Sequence, residues 1–129
     1  MGGLGWIRPG DELKEKARRS LAEALILLER GYVDGAASRL YYAAFQAAVF
    51  ALESQGRKPS DFRPGATLWA HQTVVNQAAL VRGRADDVDL LQGLLAMRRQ
   101  ADYLSSQVRR GRIQFLLHEV IRFVDQVTA

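Results

Sequence analysis

Asp34-Gly35-Ala36-Ala37-Ser38-Arg39-Leu40-Tyr41-Tyr42-Ala43-Ala44-Phe45-Gln46-Ala47-Ala48-Val49-Phe50-Ala51-Leu52 is apolar almost all round the helical circle once Arg39 is passed. A helix without a polar face belongs at the centre of a protein, not on its surface. Its alanines let neighbouring helices approach closely, while Tyr42, Phe45, Val49 and Leu52 supply bulk. The spacing predicts a buried central helix from Val33 or Asp34 to Gln55, with other helices packed round it.

The flanking segments repeat with a period near 3.6, and no strand-like alternation is long enough to matter. Asp11 is placed as the N-cap of a first helix reaching about Arg30, with Gly31 as its stop. Leu13, Ala17, Leu21, Ala24, Leu25 and Leu28 form its apolar stripe, opposite Lys14, Lys16, Arg18, Arg19 and Glu23. A polar, proline-containing loop follows from Gly56 to about Gly65. A third helix, about Thr67 to Leu80 or Val81, carries Leu68, Val74, Val75 and Ala78. Asp86 and Asp87 favour a helix N-terminus ahead of a fourth helix from Val88 to about Val108. A fifth, from about Arg112 to Val127, places Phe115, Leu116, Val120, Phe123 and Val127 on one side. Short connections imply antiparallel neighbours. The predicted fold is all-α, an up-and-down antiparallel bundle of four long helices plus a shorter fifth. Residues 1–10 read as an N-terminal tail and residues 11–129 as one domain, a size that buries an adequate core.

Several function classes drop out. With no cysteine the chain has no disulfide, no thiol chemistry and no sulfur-ligated zinc. The start lacks the charged and apolar regions of a signal peptide, and no apolar run approaches the ~18 residues of a membrane span. A cytoplasmic protein without membrane contact is expected. There is no P-loop, no GxGxxG and no Ser/His/Asp spacing. His71 and His118 are the only histidines, each read as an ordinary interior or surface residue, so no metal and no cofactor are expected. The net charge is +4, and fifteen of the eighteen basic residues are arginine, whose planar fork suits phosphate. A GC-rich genome produces the same bias, so position has to decide.

Two clusters have such positions. In the fourth helix, Leu90, Leu91, Leu94, Leu95 and Met97 are interrupted by Arg98-Arg99-Gln100-Ala101-Asp102-Tyr103, where the apolar pattern predicts burial. Arg98 and Asp102 meet at i,i+4, and Arg99 and Tyr103 lie one turn apart. This is either a surface ion pair or an anion-binding point, and spacing does not choose. In the second helix Arg39 and Tyr42 are i,i+3 neighbours beside Ser38 and Tyr41. Core tyrosines with hydroxyls at the solvent edge give the same pattern.

The run Gly35-Ala36-Ala37-Ser38-Arg39-Leu40-Tyr41-Tyr42-Ala43-Ala44-Phe45, then His71, then Leu94-Leu95-Ala96-Met97-Arg98-Arg99-Gln100-Ala101-Asp102-Tyr103, resembles the HEPN superfamily. Within it, the chain is similar to small stand-alone members with an Arg-x-x-Ala-Asp-Tyr helix. The resemblance spans about Asp11 to Val127. It implies a helical bundle that forms homodimers, RNA or nucleotide binding, and a place in prokaryotic toxin–antitoxin or nucleotidyltransferase-associated systems, with a nucleotidyltransferase-type partner protein. Many members are metal-independent RNases with an Arg-x(4–6)-His motif. Arg98 fits that arginine, but Tyr103 stands where the histidine falls. Tyrosine, with an ordinary pKa near 10, is a poor general base at neutral pH, though it can donate to phosphate or stack on a base. Arg98 and Tyr103 are therefore the catalytic candidates if the chain is an enzyme, but they carry over more securely as binding residues. Asp102, Arg39 and Tyr42 join them as a nucleotide- or RNA-binding set. Three alternatives follow: a binding protein, which the missing histidine favours; a metal-independent endoribonuclease; and a structural interaction module whose cluster only sets helix register.

Overall fold

A computed structural model describes residues 11–104 and 107–129, and the residues it describes form helices and no strand. The helices are α1 (Asp11–Glu29), α2 (Val33–Ser54), α3 (His71–Asn76), α4 (Ala79–Arg82), α5 (Asp86–Tyr103) and α6 (Arg110–Val127), with a 3-10 turn at Pro59–Asp61. The expected tail, residues 1–10, lies outside the described residues. No described helix is long and apolar enough to cross a membrane.

α2 takes the central place that its composition predicts, touching all five other helices. Seven of its alanines are buried, Ala36, Ala37, Ala43, Ala44, Ala47, Ala48 and Ala51, beside Leu40, Tyr41, Val49 and Leu52. Close approach is visible at Gly35, where an added Cβ would stand 3.4 Å from the Leu27 side chain. The α1–α2 corner is a Schellman closure: Tyr32 N–H donates to Leu27 O at 2.8 Å and Gly31 N–H to Leu28 O at 3.1 Å. That closure needs the left-handed backbone of Gly31, φ 84°. The pair then runs antiparallel, with Ser20 against Gln46 and Glu23 against Arg39. α5 also runs antiparallel to α2, since Ser38 meets Asp102 while Arg98 lies over Tyr41.

Several boundaries differ from the sequence-based ones. Asp11, the first described residue, already lies within α1. The third helix is two short pieces: α3 starts at His71, turns at Gln77, and α4 holds four residues. Thr73, Val74, Val75 and Asn76 are modest helix formers, and a break lets Val74, Val75 and Ala78 all point inward. Leu68, expected in that helix, lies before it and is exposed. The fourth helix ends at Tyr103, with Leu104 extended. Val108 cannot belong to it, because its N–H is taken by Asp34 Oδ1 at 3.2 Å and its side chain is buried. α6 begins two residues early, at Arg110. Its buried stripe is Ile113, Val120, Phe123 and Val124, and Phe115 is exposed. Eight residues at about 100° each leave Phe115 roughly 80° round from Phe123. Leu25 on α1 is exposed as well.

One buried ion pair closes the far end of the bundle. Asp87, expected only to favour a helix start, receives Arg82 in a fork, Nε to Oδ2 at 2.9 Å and Nη2 to Oδ1 at 2.7 Å. Arg82 also donates to Gln126 Oε1 at 2.6 Å and lies 5.0 Å from the Phe123 ring centroid. Cutting such a pair leaves a buried charge unmatched, which destabilises by about 3–5 kcal/mol. Asp87→Ala should show that loss as a lower urea midpoint, whereas Glu119→Ala, at the exposed Arg122 pair, should cost under about 1 kcal/mol.

Candidate functional site

The candidate site forms where the C-terminal half of α5 crosses the middle of α2. Met97, one residue before Arg98, points into the core, so Arg98 emerges at the rim of the α2–α5 contact. Its guanidinium carbon lies 5.9 Å from the Tyr41 ring centroid, 5.3 Å from that of Tyr42 and 5.7 Å from that of Tyr103. Three ring faces attract the same cation, each such contact contributing about 0.5–2 kcal/mol according to its desolvation. Arg98 Nε donates to Asp102 Oδ2 at 3.1 Å, and Nη2 reaches the Tyr103 hydroxyl at a long 3.4 Å. The Arg98 side chain retains 14% exposure and that of Asp102 32%, so the pair sits at the edge of solvent.

α2 completes the arrangement. Ser38 Oγ donates to Asp102 Oδ1 at 2.6 Å, so one carboxylate oxygen holds Arg98 and the other holds α2. This bond joins residues 64 positions apart, and helical spacing has no means of anticipating it. Arg39 lies on the α1 side of Tyr42, with its guanidinium 5.1 Å from that ring and 3.6 Å from Glu23 Oε1. Arg98, Asp102, Tyr103 and Tyr42 thus come together, and Arg39 joins them only through Tyr42. Tyr103, one helical turn from Arg99 by spacing, also meets Arg98. Tyr103 is 71% exposed, an unusually open position for a ring that touches an arginine at a helix crossing.

His71 is the residue that the sequence failed to place. Its Nδ1 lies 2.6 Å from the Tyr41 hydroxyl, and its ring packs on Phe45 at 4.8 Å, Tyr41 at 5.5 Å and Tyr42 at 6.1 Å between centroids. A lone histidine thirty positions beyond Tyr41 is one wall of the aromatic cluster that carries Arg98. Burial pushes the Tyr41 hydroxyl well above its ordinary pKa, and the Arg98 charge offsets only part of this. Burial also lowers the His71 pKa, with further lowering from the Arg98 and Arg99 charges. Among the described residues, no group of three or more histidine, aspartate or glutamate side chains comes together.

The lowered His71 value has a readable consequence. The unfolded chain takes up this proton below about pH 6.5 while the folded chain still resists it, so stability is full above that pH and declines as pH falls toward the folded value. Urea melts between pH 8 and 5 should show a steeper decline for the wild type than for His71→Asn.

A family model described as HEPN domain matches residues 11–128, nearly the whole chain and all of the site. No curated protein matches the chain.

Proposed function

The chain belongs to the HEPN domain family, and we propose that it binds RNA or a nucleotide through phosphate, at Arg98 and the tyrosines around it. The observation that carries this reading is Arg98 itself. Asp102 and three tyrosine rings fix its direction, and its side chain keeps a partly exposed edge beside an exposed aromatic ring. A guanidinium held this way loses little freedom when it forms bonds to phosphate oxygens. Tyr103 offers an exposed ring for stacking an unpaired base, the usual partner of aromatics at single-stranded RNA sites. Asp102 orients Arg98, Tyr42 supports it, and Arg39 adds a second positive charge beyond Tyr42.

The assembly in this proposal is a cytoplasmic homodimer, within a toxin–antitoxin or nucleotidyltransferase-associated system and with a nucleotidyltransferase-type partner. Family membership supports it, and the exposed Leu104 and Phe115 offer apolar surface. Binding is favoured over cleavage because Arg98 has an orienting carboxylate but no proton acceptor of suitable strength on α5.

Fluorescence anisotropy with a short single-stranded RNA tests the proposal. Arg98→Ala should weaken binding by tenfold or more, as expected for a charge-assisted contact, and should reduce the log–log salt slope by about 0.7. Tyr103→Ala should weaken binding through lost stacking, worth about 1–3 kcal/mol. Incubation with RNA in EDTA provides the contrast: cleavage that vanishes in Arg98→Ala would make the protein a nuclease. No binding of RNA or nucleotide, with Arg98→Ala altering stability alone, would leave the cluster a packing device.

A further inference from the structure

We propose that His71, on α3, is a second phosphate contact of the Arg98 site, acting as a neutral imidazole that offers its Nε2–H. The inference rests on the binding role proposed for Arg98 and names a further ligand-contacting residue. Its first support is the Tyr41–His71 bond at 2.6 Å, in which one proton must lie between the phenol oxygen and Nδ1. A phenol hydroxyl is a better donor than a neutral imidazole N–H, and an imidazole nitrogen is a better acceptor than a phenol oxygen. Tyr41 therefore donates, Nδ1 accepts, and the ring's own proton is left on Nε2.

The surroundings agree with that assignment. Tyr41 is fully buried on α2 and resists ionisation, so its proton is available. Burial, joined by the Arg98 and Arg99 charges, opposes a positive His71 and favours the neutral imidazole. The Nε2 edge has no hydrogen-bond partner among the described residues and is not sealed in the core. Arg98 and His71 rest against the same two rings, Tyr41 and Tyr42, so an anion settling against Arg98 lies beside the α3 wall of the site.

The tautomer also limits the chemistry. An Nε2 that carries a proton cannot accept one from a ribose hydroxyl, and Nδ1 is occupied by Tyr41. His71 in this state is a donor to phosphate oxygen and not a replacement general base. The same contact would serve a mononucleotide phosphate or a phosphodiester of RNA.

Two measurements test this. In nitrogen-15 NMR of the free protein at neutral pH, His71 should show an unprotonated Nδ1 and a protonated Nε2. The opposite tautomer, or an imidazolium, would overturn the proposal without any ligand present. Binding of a short uridine oligoribonucleotide and of AMP is then compared in wild type, Arg98→Ala, His71→Asn and His71→Gln. Asparagine places an acceptor near the Nδ1 position and nothing at Nε2, whereas glutamine places an amide N–H near Nε2. The expected result is a loss of about tenfold for His71→Asn, with most affinity retained by His71→Gln. If Arg98→Ala weakens binding while both His71 variants bind as the wild type does, the His71 contact is refuted and the Arg98 site stands. If the wild type binds neither probe, both fall together.

Discussion

α2 is packed against the five other helices, and several of its polar side chains find their partners on those neighbours or on the segments between them. Reading along this 22-residue helix gives the wiring of the molecule. Asp34 takes the Val108 N–H and fixes the entry to α6; Ser38 holds Asp102 on α5. Tyr41 bonds His71 on α3, and the Gln46 amide meets Ser20 on α1 at 2.8 Å. Hydrophobic burial brings these helices together without direction. The polar bonds give them a register, since a buried partner left unmatched is costly.

The candidate site grows from the same constraint. An enclosed helix has little room for the bulk of two successive tyrosines, so Tyr41 points inward and Tyr42 sits at the rim. Their rings form a floor on which Arg98 can rest without a full shell of water. Asp102 is then bound on both sides, by Arg98 and by Ser38, and cannot swing away from the guanidinium. The result is a cation aimed by packing and left open on one side. A surface arginine with a flexible partner would have to be ordered when the phosphate arrives; here that ordering is part of folding.

The legible part of the sequence was whatever depends on local periodicity. The central position of α2 follows from Arg39 to Leu52 alone, and the Arg98–Asp102 pair follows from i,i+4 spacing. The Schellman corner at Gly31 is also a local signal. Features that join distant segments were not legible. Ser38–Asp102, Tyr41–His71 and Arg82–Gln126 depend on which faces meet. Helical spacing is silent about that. Periodicity predicts one third helix where there are two, because its apolar residues keep the period across the break at Gln77. A single histidine has no periodic pattern, so the place of His71 in the aromatic cluster appears only when α3 docks on α2.

Phosphate binding at this site depends on Arg98 being the group that meets the anion. Arginine side-chain NMR during titration with a short single-stranded RNA reads this directly, residue by residue. The Nε–H signal of Arg98 should shift progressively and saturate, while that of Arg82, locked on Asp87 inside the bundle, stays in place. Saturable RNA binding that leaves the Arg98 signal unmoved would contradict the account.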